Sequence, residues 1–115
     1  MPNRDDRITL RQMLDHAREA VGLVQDLKFV DLHNQRVLCL ALIQLCQIVG
    51  EAATRVTKET LATHPEIPWA KITSLRNRLI HGYDVIDYDI FWRIITIDLP
   101  ALIPPLEIIL QEEDG

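Results

Sequence analysis

A chain of 115 residues with 48% hydrophobic and 25% charged positions is one globular domain's worth; with only 4 glycines and 6 prolines it excludes long disorder, and no low-complexity tract or repeat is visible. Its net charge of −5 excludes a general nucleic-acid track, because phosphate neutralisation needs clustered Lys and Arg. The charge is uneven: residues 61–115 hold 4 basic and 9 acidic residues, yet Ile67 to Tyr83 contains Lys71, Arg76 and Arg78 and no acid. That leaves room for a local positive site suited to a few phosphates.

The N-terminal stretch Met1-Pro2-Asn3-Arg4-Asp5-Asp6 carries no apolar signal region. The most apolar run, Val37 to Val49, is short for a bilayer span and contains Gln44 and Gln47. Cys39 and Cys46 share a helix face but stand roughly 10 Å apart along its axis, too far for a disulfide. The expectation is a cytoplasmic protein in a reducing compartment, with no membrane contact.

In chain order, the first helix is expected from about Asp6 to Leu27. Leu10, Leu14, Ala17, Val21 and Val24 form its apolar stripe, and Asp5 or Asp6 caps its start. A second helix is expected from Asp31, as N-cap, to about Val56. Within it Val37-Leu38-Cys39-Leu40-Ala41-Leu42-Ile43 is apolar on all sides, more than one small core covers, which points to a dimer. Thr60 to Pro68 reads as a loop or a single turn. A third helix follows from Pro68 to His81, with Gly82 as its C-terminal stop. A fourth stretch starts near Asp87 or Asp89 and meets a break or kink at Pro100, with Asp98 capping a restart. The tail Glu112-Glu113-Asp114-Gly115 is expected to fray. No segment alternates long enough to be a strand. The fold class is all-α: a single domain over residues 1–115, an antiparallel bundle of four to five helices.

On a helical wheel of about 100° per residue, Trp69, Ile72, Leu75, Leu79 and Ile80 define the apolar arc of the third helix. Arg76 falls inside that arc, where a charge needs either a structural ion-pair partner or a function. Lys71 and Arg78 fall on the solvent side. His81 points well away from Arg76. The two converge only if the chain leaves helical geometry near His81, or if two chains share the site across a twofold axis.

The run Arg76-Asn77-Arg78-Leu79-Ile80-His81-Gly82-Tyr83 matches R-x-x-x-x-H-x-Y, and it resembles the active-site motif of HepT-like HEPN ribonuclease toxins. The flanks resemble that family too: His64-Pro65-Glu66-Ile67-Pro68-Trp69 before it, Asp87-Tyr88-Asp89-Ile90-Phe91-Trp92 and Asp98-Leu99-Pro100 after it, and Gly50-Glu51-Ala52-Ala53 in the second helix. The pair Pro104-Pro105 is less typical. The resemblance covers essentially the whole chain. It implies a HEPN-type bundle and a metal-independent endoribonuclease that acts as the toxin of a toxin–antitoxin pair; the homodimer is expected from the apolar second helix and from Arg76 in an apolar arc.

The resemblance further implies that Arg76 and His81 are catalytic, with Asn77 orienting them or bonding a phosphate oxygen. It implies a minimal nucleotidyltransferase as antitoxin, which transfers AMP to Tyr83. Lys71 and Arg78 are candidate RNA contacts. No cofactor is expected. His16, His33 and His64 lack metal-ligand spacing, so no metal is expected either. RNA, not DNA, is the expected substrate. The competing reading is a non-catalytic nucleotide- or protein-binding HEPN module that partners a nucleotidyltransferase. Cys39 and Cys46 read as core fillers. Among the aromatics Trp69, Phe91 and Trp92 read as core or dimer packing, whereas Tyr83 reads as more accessible.

Overall fold

Asn3 opens helix α1 (Arg4–Val24) by accepting the Asp6 N–H at 2.8 Å. It satisfies a donor that the helix itself cannot. The computed structural model describes the backbone of residues 2–81 and 85–114 and the side chains of residues 2–79 and 85–111. Leu10, Met13, Leu14, Ala17, Ala20 and Val24 recur at three and four residues and are buried. This is the predicted stripe, ending three residues earlier than expected.

The expected second helix is two. A short α2 (Asp31–Asn34) is followed by α3 (Arg36–Thr54), separated at Gln35 by non-helical φ −117° and ψ 77°. Asp31 does not cap the long helix. Its carboxylate accepts the Lys28 N–H at 2.8 Å and closes the preceding turn. Helix α3 buries Cys39, Leu42, Ile43, Leu45, Cys46, Val49, Ala52 and Ala53, but Val37 is 83% exposed and Leu40 47%. The apolar segment is therefore covered on one side only. Both cysteines are free, and burial pushes the Cys46 thiol up to about 12.

Helix α4 (Lys58–Thr63) runs into Thr60–Pro68, which was expected as a loop or a single turn, and has Thr57 as its N-cap. The next predicted helix is broken. Helix α5 (Trp69–Thr73) ends at Ser74, whose ψ of 6° is not helical, and α6 (Leu75–Leu79) follows. The chain then leaves helical geometry. Strand β1 (Ile80–His81) pairs antiparallel with β2 (Val85–Ile86), Ile80 opposite Ile86 and His81 opposite Val85. Gly82, the expected helix stop, lies outside the described residues. Two-residue strands escape a search for alternation because they are too short to show one.

Asp87 caps α7 (Tyr88–Arg93) by accepting the Ile90 N–H at 3.1 Å. A π-helical turn over Ile94–Asp98 joins it to α8 (Leu99–Asp114), with the Leu99 N–H donating to Ile94 O. Pro100 was expected to interrupt this helix. The wider turn just before it absorbs the missing donor and the ring, so the chain continues helical without a restart through Pro104 and Pro105. It runs on to Asp114, through the tail expected to fray.

Helix α1 packs on α3 and α8, and α3 packs on α5 and α6. One core cluster draws residues from all of them, including Phe91, Ile94, Leu99, Leu102 and Leu106. Helix α3 and the continuous path Tyr88–Gln111 are each long and apolar enough to cross a membrane, contrary to the expectation for Val37–Val49. About half of each, 50% and 44%, is buried inside the bundle, as core helices are.

Asp5 or Asp6 was expected as the cap, a role that Asn3 takes. Asp6 is instead 1% exposed and accepts Thr57 Oγ1 and Thr60 Oγ1, both at 2.6 Å, and the Thr57 N–H at 3.2 Å. It ties the first turn of α1 to the start of α4. Burial alone raises its pKa; the hydrogen bonds from Thr57 and Thr60 outweigh burial and hold the carboxyl below its ordinary value of 3.8. A group whose folded pKa is depressed contributes stability above its unfolded pKa and loses it as pH falls through the folded value. Thermal midpoints measured from pH 7 down to pH 3 should therefore fall steeply below about pH 4. Asp6→Asn should be less stable at pH 7 by about 1–3 kcal/mol and show a flatter fall. Parallel profiles for the two proteins would contradict this role.

Candidate active site

The motif begins on α6. Ser74 ends α5 and Ile80 already lies on β1, so the apolar arc drawn through one helix from Trp69 to Ile80 is wider than the face that α6 buries. Ile72, Leu75 and Leu79 are fully buried as expected. Arg76 is not in an apolar environment: it and Asn77 are exposed. This corrects the expectation of a charge in the core. Among the described residues Arg76 makes no hydrogen bond or ion pair. His81 is brought off the helix by β1, one of the two geometries that could aim it towards Arg76. Its side chain, and Tyr83, lie outside the described residues.

Lys71 and Arg78, the expected RNA contacts, converge on one acid. Lys71 Nζ stands 3.0 Å from Asp98 Oδ1, and Arg78 Nη2 donates to Asp98 Oδ2 at 2.9 Å. The Asp98 side chain is 4% exposed, against 48% for Lys71 and 25% for Arg78. Arg78 is thus partly covered, not on the open solvent side. Asp98 is the acceptor that holds α5 and α6 against the π turn, and not the cap of a restarted helix. Arg78 Nη1 also reaches Lys71 O at 3.4 Å, bridging the break at Ser74.

Helix α3 supports the motif from below. A Cβ placed on Gly50 would lie 3.2 Å from Ile72 O and 3.5 Å from the Leu75 Cβ, so the missing side chain lets α3 sit close under the α5–α6 junction. Arg76 then borders an open cleft of about 410 Å³, lined with Gln12 of α1, Gln44, Gln47, Ile48 and Glu51 of α3, and Arg55. Arg55 Nη2 donates to Gln12 Oε1 at 2.8 Å. Sequence reasoning missed these lining residues. Their signal was two glutamines and a glutamate recurring at helical spacing in an otherwise apolar segment. Among the described residues no cluster of three His, Cys, Asp or Glu could hold a metal.

A family model described as "Ribonuclease HepT-like" matches residues 13–109. The chain belongs to the HepT-like ribonuclease family. It is 30% identical over 109 residues to a Methanocaldococcus jannaschii protein provisionally named an RNase, spanning 95% of this chain and 100% of that one. A Caldanaerobacter subterraneus subsp. tengcongensis protein with a similar provisional name is 32% identical over 104 residues, 90% of this chain and 93% of its own. A Thermococcus cleftensis protein provisionally named ribonuclease HepT is 29% identical over 96 residues, 80% of this chain and 87% of its own. No solved structure matches. In this HepT-like chain the family match runs from within α1 to within α8 and takes in the Arg76–His81 segment.

The ion-pair geometry yields a prediction. Asp98→Ala leaves Lys71 and Arg78 without their shared acceptor, and both can turn to water because neither is deeply buried. The expected loss is about 1.5–3 kcal/mol, below the cost of orphaning a buried charge. Chemical denaturation measures it. An unchanged midpoint would show that Asp98 does not hold the motif helix.

Proposed function

We propose that this chain is the toxin of a toxin–antitoxin pair, a metal-independent endoribonuclease working through Arg76, His81 and Asn77. The observation that carries this reading is Arg76: an exposed guanidinium, without a partner among the described residues, at the rim of a cleft in a chain of ribonuclease family. A structural arginine in this fold looks like Arg78, seated on a buried carboxylate. One left open is available to an oxyanion.

The chemistry follows from the residue types. Cleavage removes the proton from a ribose 2′-hydroxyl, forms the bond from that oxygen to phosphorus, and breaks the bond to the 5′ oxygen, which takes up a proton. The products are a 2′,3′-cyclic phosphate and a 5′-hydroxyl end. Histidine exchanges protons near neutral pH, and such transfer contributes about 10²–10⁴ in rate. Arginine holds the phosphorane oxygens bidentately as charge builds on them. Asn77, exposed one residue on, donates to a non-bridging oxygen. A homodimer belongs to this reading: Val37 and Leu40, left uncovered at one end of α3, are the apolar surface that a second copy would cover.

Purified protein should cut RNA in EDTA and leave cyclic phosphate ends. His81→Ala and Arg76→Ala should each lose about 10²-fold or more. Light scattering should give twice the 13.2 kDa chain mass. Dependence on divalent metal, or full activity in His81→Ala, would sink the catalytic assignment and favour a binding module. A monomer would remove the dimer.

Control of the enzyme is assigned to Tyr83, two residues beyond His81. A partner nucleotidyltransferase would transfer AMP from ATP to the phenolic oxygen, releasing pyrophosphate. Each nucleotide would add bulk and negative charge two residues from His81 and compete with RNA for the Arg76 cation. Co-expression with such a partner should raise the mass by one or more AMP units on Tyr83 and abolish cleavage. If Tyr83→Phe is neutralised as efficiently as the parent, inhibition works by binding alone.

A further inference from the structure

The cleft beside Arg76 carries more polar groups than a phosphate needs. Gln44, Gln47, Ile48 and Glu51 follow one another at helical spacing along α3, so a single strip of that helix forms the floor. Arg55 closes one end, its guanidinium held by Gln12 at 2.8 Å. Among the described residues the side chains of Gln44, Gln47 and Glu51 make no hydrogen bond or ion pair with the protein, and neither does Arg76. Glu51 in particular lies on the same cleft as two arginines without an ion pair to either. The volume, about 410 Å³, is within the range of about 300–1,000 Å³ typical of small-ligand sites.

A carboxylate here is a liability for binding phosphate, because it repels the group that Arg76 would attract. It becomes an asset only if the ligand brings donors to it. A nucleobase does so. Guanine sets two N–H donors, N1 and N2, side by side, matching the two oxygens of a carboxylate, and next to them an acceptor, O6. A glutamine amide donates to such an acceptor, and Ile48 offers an apolar contact for the ring face. Adenine, cytosine and uracil present at most one of these donors on that edge beside an acceptor, which leaves a carboxylate oxygen unsatisfied or repelled.

We propose that this cleft is the base subsite of the proposed ribonuclease, and that it selects a guanine in the nucleotide next to the phosphate held by Arg76. Glu51 accepts from guanine N1–H and N2–H, and Gln47 or Gln44 donates to O6. The selection rests on the ribonuclease reading for its substrate, but not for its binding chemistry.

The test is cleavage of a randomised RNA pool by the purified chain, with sequencing of the cut ends. One position flanking the cut should be enriched in guanine. Glu51→Gln and Gln47→Ala should each reduce the ratio of guanine to non-guanine sites, the former by about 5- to 150-fold, the discrimination expected of one bidentate base contact. Light scattering runs on the same samples. Absence of base preference in the parent, preference unchanged in both variants, or a changed oligomeric mass accounting for the loss would each overturn the proposal. If the parent cuts no RNA, the ribonuclease reading fails separately. NMR titration with GMP, AMP, CMP and UMP then decides the subsite: shifts of Glu51 and Gln47 by GMP alone, with the Gln47 shift lost in Glu51→Gln, uphold it, and equal shifts with all four, or none, overturn it.

Discussion

Asp98 is the constraint on which the motif's placement depends. A carboxylate 4% exposed, on a π turn, receives Lys71 from one short helix and Arg78 from the next. Helices of five residues do not persist alone, because the cost of nucleation exceeds what a single turn returns. Helices α5 and α6 persist because they are docked at both faces. Ile72, Leu75 and Leu79 fix them to the core, and Asp98 fixes them to the C-terminal helix. The exposed edge that remains carries Arg76 and Asn77. The same arrangement sorts the three cations of this segment: two are neutralised within the fold, and one is left towards the cleft.

The other buried carboxylate works at the far end of the same logic. Asp6 gathers Thr57 and Thr60, so the first turn of α1 and the first turn of α4 hold one another. Both acids sit where a helix end meets a second helix: Asp6 satisfies the buried Thr60 hydroxyl, and Asp98 neutralises two cations that would otherwise turn to water. Glu51 differs from both. It is exposed and has no partner among the described residues, and it faces the cleft proposed as the base subsite.

Much of the fold was legible because apolar spacing is a direct record of burial. The stripe of α1, the buried Ile72, Leu75 and Leu79, and the buried cysteines all follow from it. The misreadings share one cause: a wheel assumes an unbroken helix. Ser74 ends one without a glycine or proline to announce it, and an arc bounded by Trp69 and Ile80, neither of which lies on α6, takes in Arg76 although it is exposed. Gln35 divides the second helix just as silently. Asp98 reads as a cap because local sequence shows only its neighbours, whereas its partners lie twenty and more residues earlier. The motif itself was legible by resemblance. The cleft was not, since its lining comes from α1, α3 and α6, brought together only by packing under Gly50.

Cys46 gives the molecule an internal reporter. Its side chain is fully buried on α3, where that helix meets the rest of the core, and its thiol is pushed up to about 12. A thiol reacts as the thiolate and only when reached. An alkylating reagent at neutral pH therefore modifies Cys46 only in molecules whose bundle has come apart, so the labelling rate counts excursions to the open state under native conditions.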